Sequence, residues 1–126
     1  MADALQFLPA GSLRAAKYSS MLTTMAARLA KLQGSGGFWR ASLLDPALYP
    51  QPETSATGLI AYALAYGILD AATYLPVVEL AWQGLSTTAL QPSGFVRDCQ
   101  AQGTAPAAPY TATTPRTLPR RRRPAR

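Results

Sequence analysis

Residues 55–69, SATGLIAYALAYGIL, are apolar on nearly every face and rich in Ala and Gly. A helix of that composition has no side to give to water, and its small residues let neighbouring backbones approach closely. Its longest apolar run, Leu59 to Leu69, covers 11 residues, where a membrane span needs about 20. The segment therefore predicts an inner helix, and the rest of the chain must supply the helices around it. Asp70-Ala-Ala-Thr-Tyr reads as a short connection, and Pro76 suits the first turn of a following helix, where its missing N–H costs nothing. That helix carries Val77, Val78, Leu80, Ala81, Trp82 and Leu85 with Glu79 and Gln83 between them, so the pair forms an antiparallel αα-hairpin. Upstream, Tyr18, Met21, Leu22, Met25, Leu29 and Leu32 make one helical stripe across residues 13–32. Ser12 is the expected N-cap and Gly34 the expected C′ residue. Lys17, Arg28 and Lys31 fall at the edge of the stripe, as a solvated face does.

An internal echo organises these helices. Leu32-Gln33-Gly34-Ser35-Gly36-Gly37-Phe38-Trp39-Arg40 is matched by Leu90-Gln91-Pro92-Ser93-Gly94-Phe95-Val96-Arg97, and each copy follows a helix. The offset is 58 residues at Leu-Gln and 57 at the aromatic. That period fits two helices and a loop, one unit of an α/α toroid whose units bury their apolar faces on one another. The expected fold is all-α, an arc of αα-hairpins over residues 1–98. Two units fall short of the roughly three that such arrays usually need. Faces built for further units predict exposed apolar patches and self-association.

Charge divides the chain differently. Six of the 12 basic residues (Arg116, Arg120, Arg121, Arg122, Arg123 and Arg126) lie in the last eleven positions, so residues 1–115 carry six basic and six acidic groups. The +6 net charge belongs to the tail. A neutral body with no basic face argues against a nucleic-acid interface, although the Arg run admits an alternative reading as an anion- or nucleic-acid-binding tail on a small helical binding module. Residues 99–126 hold five of the 11 Pro and little that can form a core, which predicts disorder. The absence of His excludes Ser-His-Asp and Cys-His catalysis within this chain, and Cys99, the single cysteine, cannot form an internal disulfide. The N-terminal MADALQFLPAGS has no basic region ahead of an apolar stretch. The expectation is a cytoplasmic protein with no membrane span.

The loop from Gly36 to Ser55 is long for a helix connection and holds Phe38, Trp39, Arg40, Asp45, Tyr49, Glu53 and three Pro. Trp39 has the surface to stack on a sugar ring, or else caps the core. Arg40 has the fork to pair with a carboxylate, or else bonds loop carbonyls. Asp45 and Glu53 are the close carboxylate pair that glycoside cleavage uses. Asp45 before Pro46 reads equally as a turn former, and Glu53-Thr54-Ser55 as a helix cap.

Phe38-Trp39-Arg40-Ala41-Ser42-Leu43-Leu44-Asp45-Pro46, Tyr49-Pro50, Pro52-Glu53-Thr54-Ser55-Ala56-Thr57-Gly58 and Tyr62-Ala63-Leu64-Ala65-Tyr66-Gly67-Ile68 together resemble the unsaturated glycuronyl and rhamnogalacturonyl hydrolases, glycoside hydrolase families 88 and 105. The likeness runs on through Tyr74-Leu75-Pro76-Val77-Val78 and upstream through Leu5-Gln6-Phe7-Leu8-Pro9, covering residues 1 to 96. It implies part of an (α/α)6 barrel, in the C-terminal half of an enzyme that removes unsaturated uronic acid from the non-reducing end of lyase-generated oligosaccharides. In that family an Asp hydrates the C4=C5 double bond and the resulting hemiacetal falls apart, without metal or organic cofactor. That Asp lies ahead of a Gly-Arg-Gly-Asn-Gly-Trp-like segment, and neither is present in this chain. No catalytic residue is therefore assigned to Asp45, Glu53, Asp70, Glu79 or Asp98, and the chain alone is expected to be inactive. The resemblance carries Trp39, Arg40, Glu53, Thr54 and Ser55 over as residues bordering the sugar pocket, with Arg40 facing a uronate carboxylate.

Overall fold

A computed structural model describes residues 1–66 and 69–100. Among them the regular structure is helical: α1 (Ala2–Leu5), α2 (Leu13–Lys31), α3 (Thr54–Ala65) and α4 (Ala71–Gly84), the last continued by a π-helical turn at Leu85–Ala89. Extended pairing is confined to isolated bridges between Arg40 and Pro52 and between Leu90 and Val96. The Arg-rich segment, expected to be disordered, lies outside the described residues from 101 onward.

Each long helix starts on a side-chain cap. Ser12 accepts from the Ala15 amide at 3.1 Å, as expected from sequence. Glu53 caps α3 by accepting from Ala56 N. Asp70 caps α4 by accepting from the Thr73 amide at 3.1 Å and from the Thr73 hydroxyl. The α4 start corrects the sequence expectation: the helix begins at Ala71, and Pro76 stands inside it. Asp70-Ala-Ala-Thr-Tyr is a cap and first turn, because a carboxylate aimed at its own N3 amide nucleates the helix ahead of the proline. A second correction concerns the end of α2. Its C-cap is Leu32, and the left-handed backbone expected at Gly34 occurs at Gly37, φ +85°.

The core forms where α2, α3 and α4 meet, from Ala26, Ala61, Leu64, Tyr74 and Ala81 around Trp39. Most of these are small, so the helices close tightly on one large indole. This rotates α2 relative to its expected stripe. Leu22 and Ala26 are buried while Met21 and Met25 are exposed, because the alanine face admits Trp39 and the methionines fall beside it. α3 is enclosed on one side only: Ala61 and Leu64 are buried, but Leu59 is 71% exposed and Tyr62 is also open.

Close packing of the turn after α2 requires two glycines. A Cβ at Gly37 would overlap the Leu80 carbonyl, and one at Gly84 would lie 2.5 Å from the Gly36 carbonyl oxygen. Gly94, φ +79°, occupies the corresponding place in the second copy with nothing within 4 Å. Gly94→Ala is expected to cost about 1–2 kcal/mol from left-handed backbone strain alone. Gly37→Ala adds overlap with α4, a further ~1–3 kcal/mol. Urea titration of the two variants checks the difference.

The Asp70 carboxyl sits below its ordinary value of 3.8, chiefly because the Thr73 hydroxyl bonds its charged form, with backbone bonds from Thr73 and Ala72 adding to this against a desolvation effect. The unfolded chain thus takes up this proton at higher pH than the folded one. The cap's contribution to stability is complete above pH 3.8 and is lost as pH falls below that value through the lowered folded one. Asp70→Asn is expected to flatten the acid limb of the melting-temperature profile in that window, leaving the neutral region little changed.

Candidate functional site

The loop that joins α2 to α3 is closed by the start of α3. Trp39 is 0% exposed. Its backbone N–H donates to Thr57 Oγ1 at 3.1 Å, its carbonyl accepts from Glu53 N at 3.0 Å, and its indole Nε1–H donates to the Leu29 carbonyl at 2.8 Å. Thr57 Oγ1 in turn donates to the Glu53 carbonyl at 2.8 Å. One residue is therefore tied to the end of α2 and the first turn of α3. Of its two readings from sequence, Trp39 takes the core one: no face of the indole is open for stacking on a sugar, since α2, α3 and α4 cover it.

Glu53 is buried and both of its carboxylate oxygens are engaged. Oε2 accepts from Ala56 N, and Oε1 accepts from the Ser55 hydroxyl at 2.7 Å and from Gln100 N at 3.0 Å. Beside it, Thr54 N donates to the Asp98 carbonyl at 2.9 Å. The α3 start is thus gripped from both sides, by Trp39 and by residues 98–100. Asp45 is exposed, and its Oδ1 accepts from Leu48 N at 3.3 Å, the turn-forming role. Burial of one carboxylate and exposure of the other in a local turn do not make a glycosidase pair, which needs two carboxyl groups facing one bond.

Arg40 differs from its neighbours. It is half-buried, its guanidinium lies beside Gly34, and no hydrogen-bond or ionic partner engages it among the described residues. Ser55 is exposed, whereas Thr54 is buried with its hydroxyl unpartnered among the described residues. The five sequence-assigned residues are brought together at one end of α3, and of these Arg40 and Ser55 reach solvent.

Sequence reasoning missed Thr57 and Gln33. Gln33 Nε2 donates to the carbonyls of Gly37 at 3.0 Å and Val77 at 2.9 Å, holding the turn on α4. The acid and hydroxyl four residues apart at the start of α3 were the available signal for Thr57. A lone Gln after a helix carries none for Gln33.

Residues 1–118 match Glycosyl Hydrolase Family 88. The chain belongs to that family. It is 40% identical over 73 residues to an unsaturated 3S-rhamnoglycuronyl hydrolase of Formosa agariphila, covering 55% of this chain and 19% of the relative. It is 35% identical over 106 residues to an enzyme of the same name from an Alteromonas species, covering 81% of this chain and 25% of the relative. A solved family 88 glycosyl hydrolase from Bacteroides vulgatus superposes with a TM-score of 0.79 at 38% identity, over 86% of this chain and 32% of that one. The family 88 chain thus spans a fifth to a quarter of these curated relatives and a third of the solved structure. Its helices are an arc of the family's α/α barrel.

Cys99 lies exposed beside the α3 start. Burial foremost, then the charges of Glu53 and Asp98, push its thiol above its ordinary value of 9.0. Alkylation with iodoacetamide at pH 8 is expected to run slower in the native chain than in the urea-unfolded one, by more than steric access alone gives in a pH series. Glu53→Ala removes the α3 cap and the tie to Gln100, and is expected to cost about 2 kcal/mol in chemical denaturation.

Proposed function

We propose that this chain is a segment of an unsaturated glycuronyl hydrolase, supplying part of the barrel and part of the rim that holds the sugar. The observation that carries the reading is Arg40, a half-buried cation with no partner among the described residues, on a loop that resembles the family's patterned stretch. A guanidinium held by the chain and left unneutralised is suited to a planar carboxylate, and the uronic acid at the non-reducing end of a lyase product carries one. Ser55, exposed at the same end of α3, is placed to meet sugar hydroxyls. Trp39, Glu53 and Thr54 act behind them by fixing the loop.

The hydration of the C4=C5 bond belongs to an Asp outside this chain, so the segment binds without turning over. The two curated relatives are named unsaturated 3S-rhamnoglycuronyl hydrolases, and an unsaturated uronide of that class is the substrate proposed for the whole enzyme. Among the described residues no helix is long and apolar enough to cross a membrane, and the cytoplasm is the proposed site of action.

The test is NMR titration of the full chain with an unsaturated glucuronyl-rhamnose disaccharide, alongside the absorbance of its conjugated double bond. Amide shifts at residues 38–42 and 55, lost in Arg40→Gln, with constant absorbance, are expected. Shifts that persist in Arg40→Gln, or that map to no part of this loop, overturn the assignment.

A further inference from the structure

The hydrogen bonds on the Glu53 carboxylate fix the direction of one bond beside it. Oε2 accepts from Ala56 N, and Oε1 accepts from the Ser55 hydroxyl at 2.7 Å and from Gln100 N at 3.0 Å. A carboxylate has no proton to give in return, so the Ser55 hydrogen points at Glu53. A serine hydroxyl has one hydrogen and two lone pairs. With the hydrogen committed, the exposed Ser55 offers lone pairs alone to whatever approaches it. Turning the hydroxyl outward to donate would strip one of the two bonds from Oε1. Thr54, next to Glu53 in the same turn, does not share this role: it is 5% exposed, and its buried hydroxyl has no partner among the described residues.

Arg40 is the opposite kind of group. A guanidinium carries N–H donors and no acceptor, and this one is unpaired among the described residues. Its backbone forms an antiparallel bridge with Pro52, and the carbonyl of the preceding Trp39 accepts from Glu53 N at 3.0 Å. These pairings hold Arg40 against the segment that leads into Ser55. The rim thus presents donors without acceptors at Arg40 and an acceptor without a donor at Ser55.

We propose that Ser55 is a specificity-determining residue that requires a free hydroxyl on the sugar whose carboxylate meets Arg40. This rests on the reading of the rim as a uronide site and adds the direction of its hydrogen bonds. Arg40 donates to the carboxylate, and Ser55 Oγ accepts from a ring hydroxyl. In a uronic acid with a C4=C5 bond the free ring hydroxyls are those at C2 and C3, and one of these is the donor. An ether or a sulfate ester at that position has acceptors only and meets Ser55 lone pair to lone pair. A sulfate there also brings negative charge toward Glu53.

The full chain is titrated by NMR with the unsaturated glucuronyl-rhamnose disaccharide and with its derivatives methylated at the uronide C2 or C3 hydroxyl. At least one derivative is expected to bind about fivefold more weakly than the parent, the scale of one neutral hydrogen bond. Ser55→Ala keeps the Ala56 and Gln100 bonds to Glu53. It is expected to weaken the parent by the same factor and to erase the difference between parent and derivatives, while Ser55→Thr restores both. Arg40→Gln weakens all three ligands alike, so the ratio of affinities separates a hydrogen-bond role for Ser55 from general damage to the loop. Discrimination that survives in Ser55→Ala, or two derivatives that bind as the parent does while Arg40→Gln still abolishes the shifts, overturns the Ser55 assignment and leaves the uronide reading standing. A parent disaccharide that shows no Arg40-dependent binding overturns that reading, and this assignment with it.

Discussion

One tryptophan holds this arc together. Trp39 bonds the last turn of α2 through its indole, the first turn of α3 through both sides of its peptide, and packs against Ala26, Ala61 and Ala81. A bulky rigid ring among alanines fixes the helix spacing, because small residues cannot fill the space that its loss would leave. The directional bonds fix orientation as well: an indole N–H has one acceptor direction, and Thr57 relays from the Trp39 amide to the Glu53 carbonyl. The long loop is thereby pinned at its two ends, and its solvent-facing residues, Arg40 and Ser55, are carried by a rigid frame.

That frame explains how a loop with so many chemically suggestive residues divides its labour. Glu53, a carboxylate with two engaged oxygens, organises backbone. Asp45 closes a local turn. Arg40 is left with its charge unanswered among the described residues, which suits the proposed role of meeting a carboxylate. Position in the fold, more than residue type, separates the residues that fix the loop from those that reach solvent.

Much of this was legible in the sequence. The apolar composition of residues 55–69 announced a helix, although α3 is enclosed on one side only, and Ser12 and Glu53 announced their caps. Other features were decided by contacts that a linear string does not contain. Pro76 looked like a helix start because proline favours that place, yet the Asp70 cap nucleated α4 earlier. Met21 and Met25 belonged to the strongest stripe on α2, but the alanine face won because Trp39 approaches there. Gly34 stood at the right distance to end α2, while the left-handed turn fell to Gly37, where α4 passes too close for a side chain. For Trp39, the sequence left both a sugar platform and a core cap open, and only the arrangement of three helices distinguishes them.

The central claim is that Trp39 pins the loop between α2 and α3 through its indole and both sides of its peptide. Site-resolved amide exchange of Trp39 and Val96 in the same sample tests it most directly. The account predicts that the Trp39 amide, bonded to Thr57 and buried, exchanges orders of magnitude more slowly than the Val96 amide, whose residue is 43% exposed and which has no acceptor among the described residues. Equal rates at the two positions would contradict it.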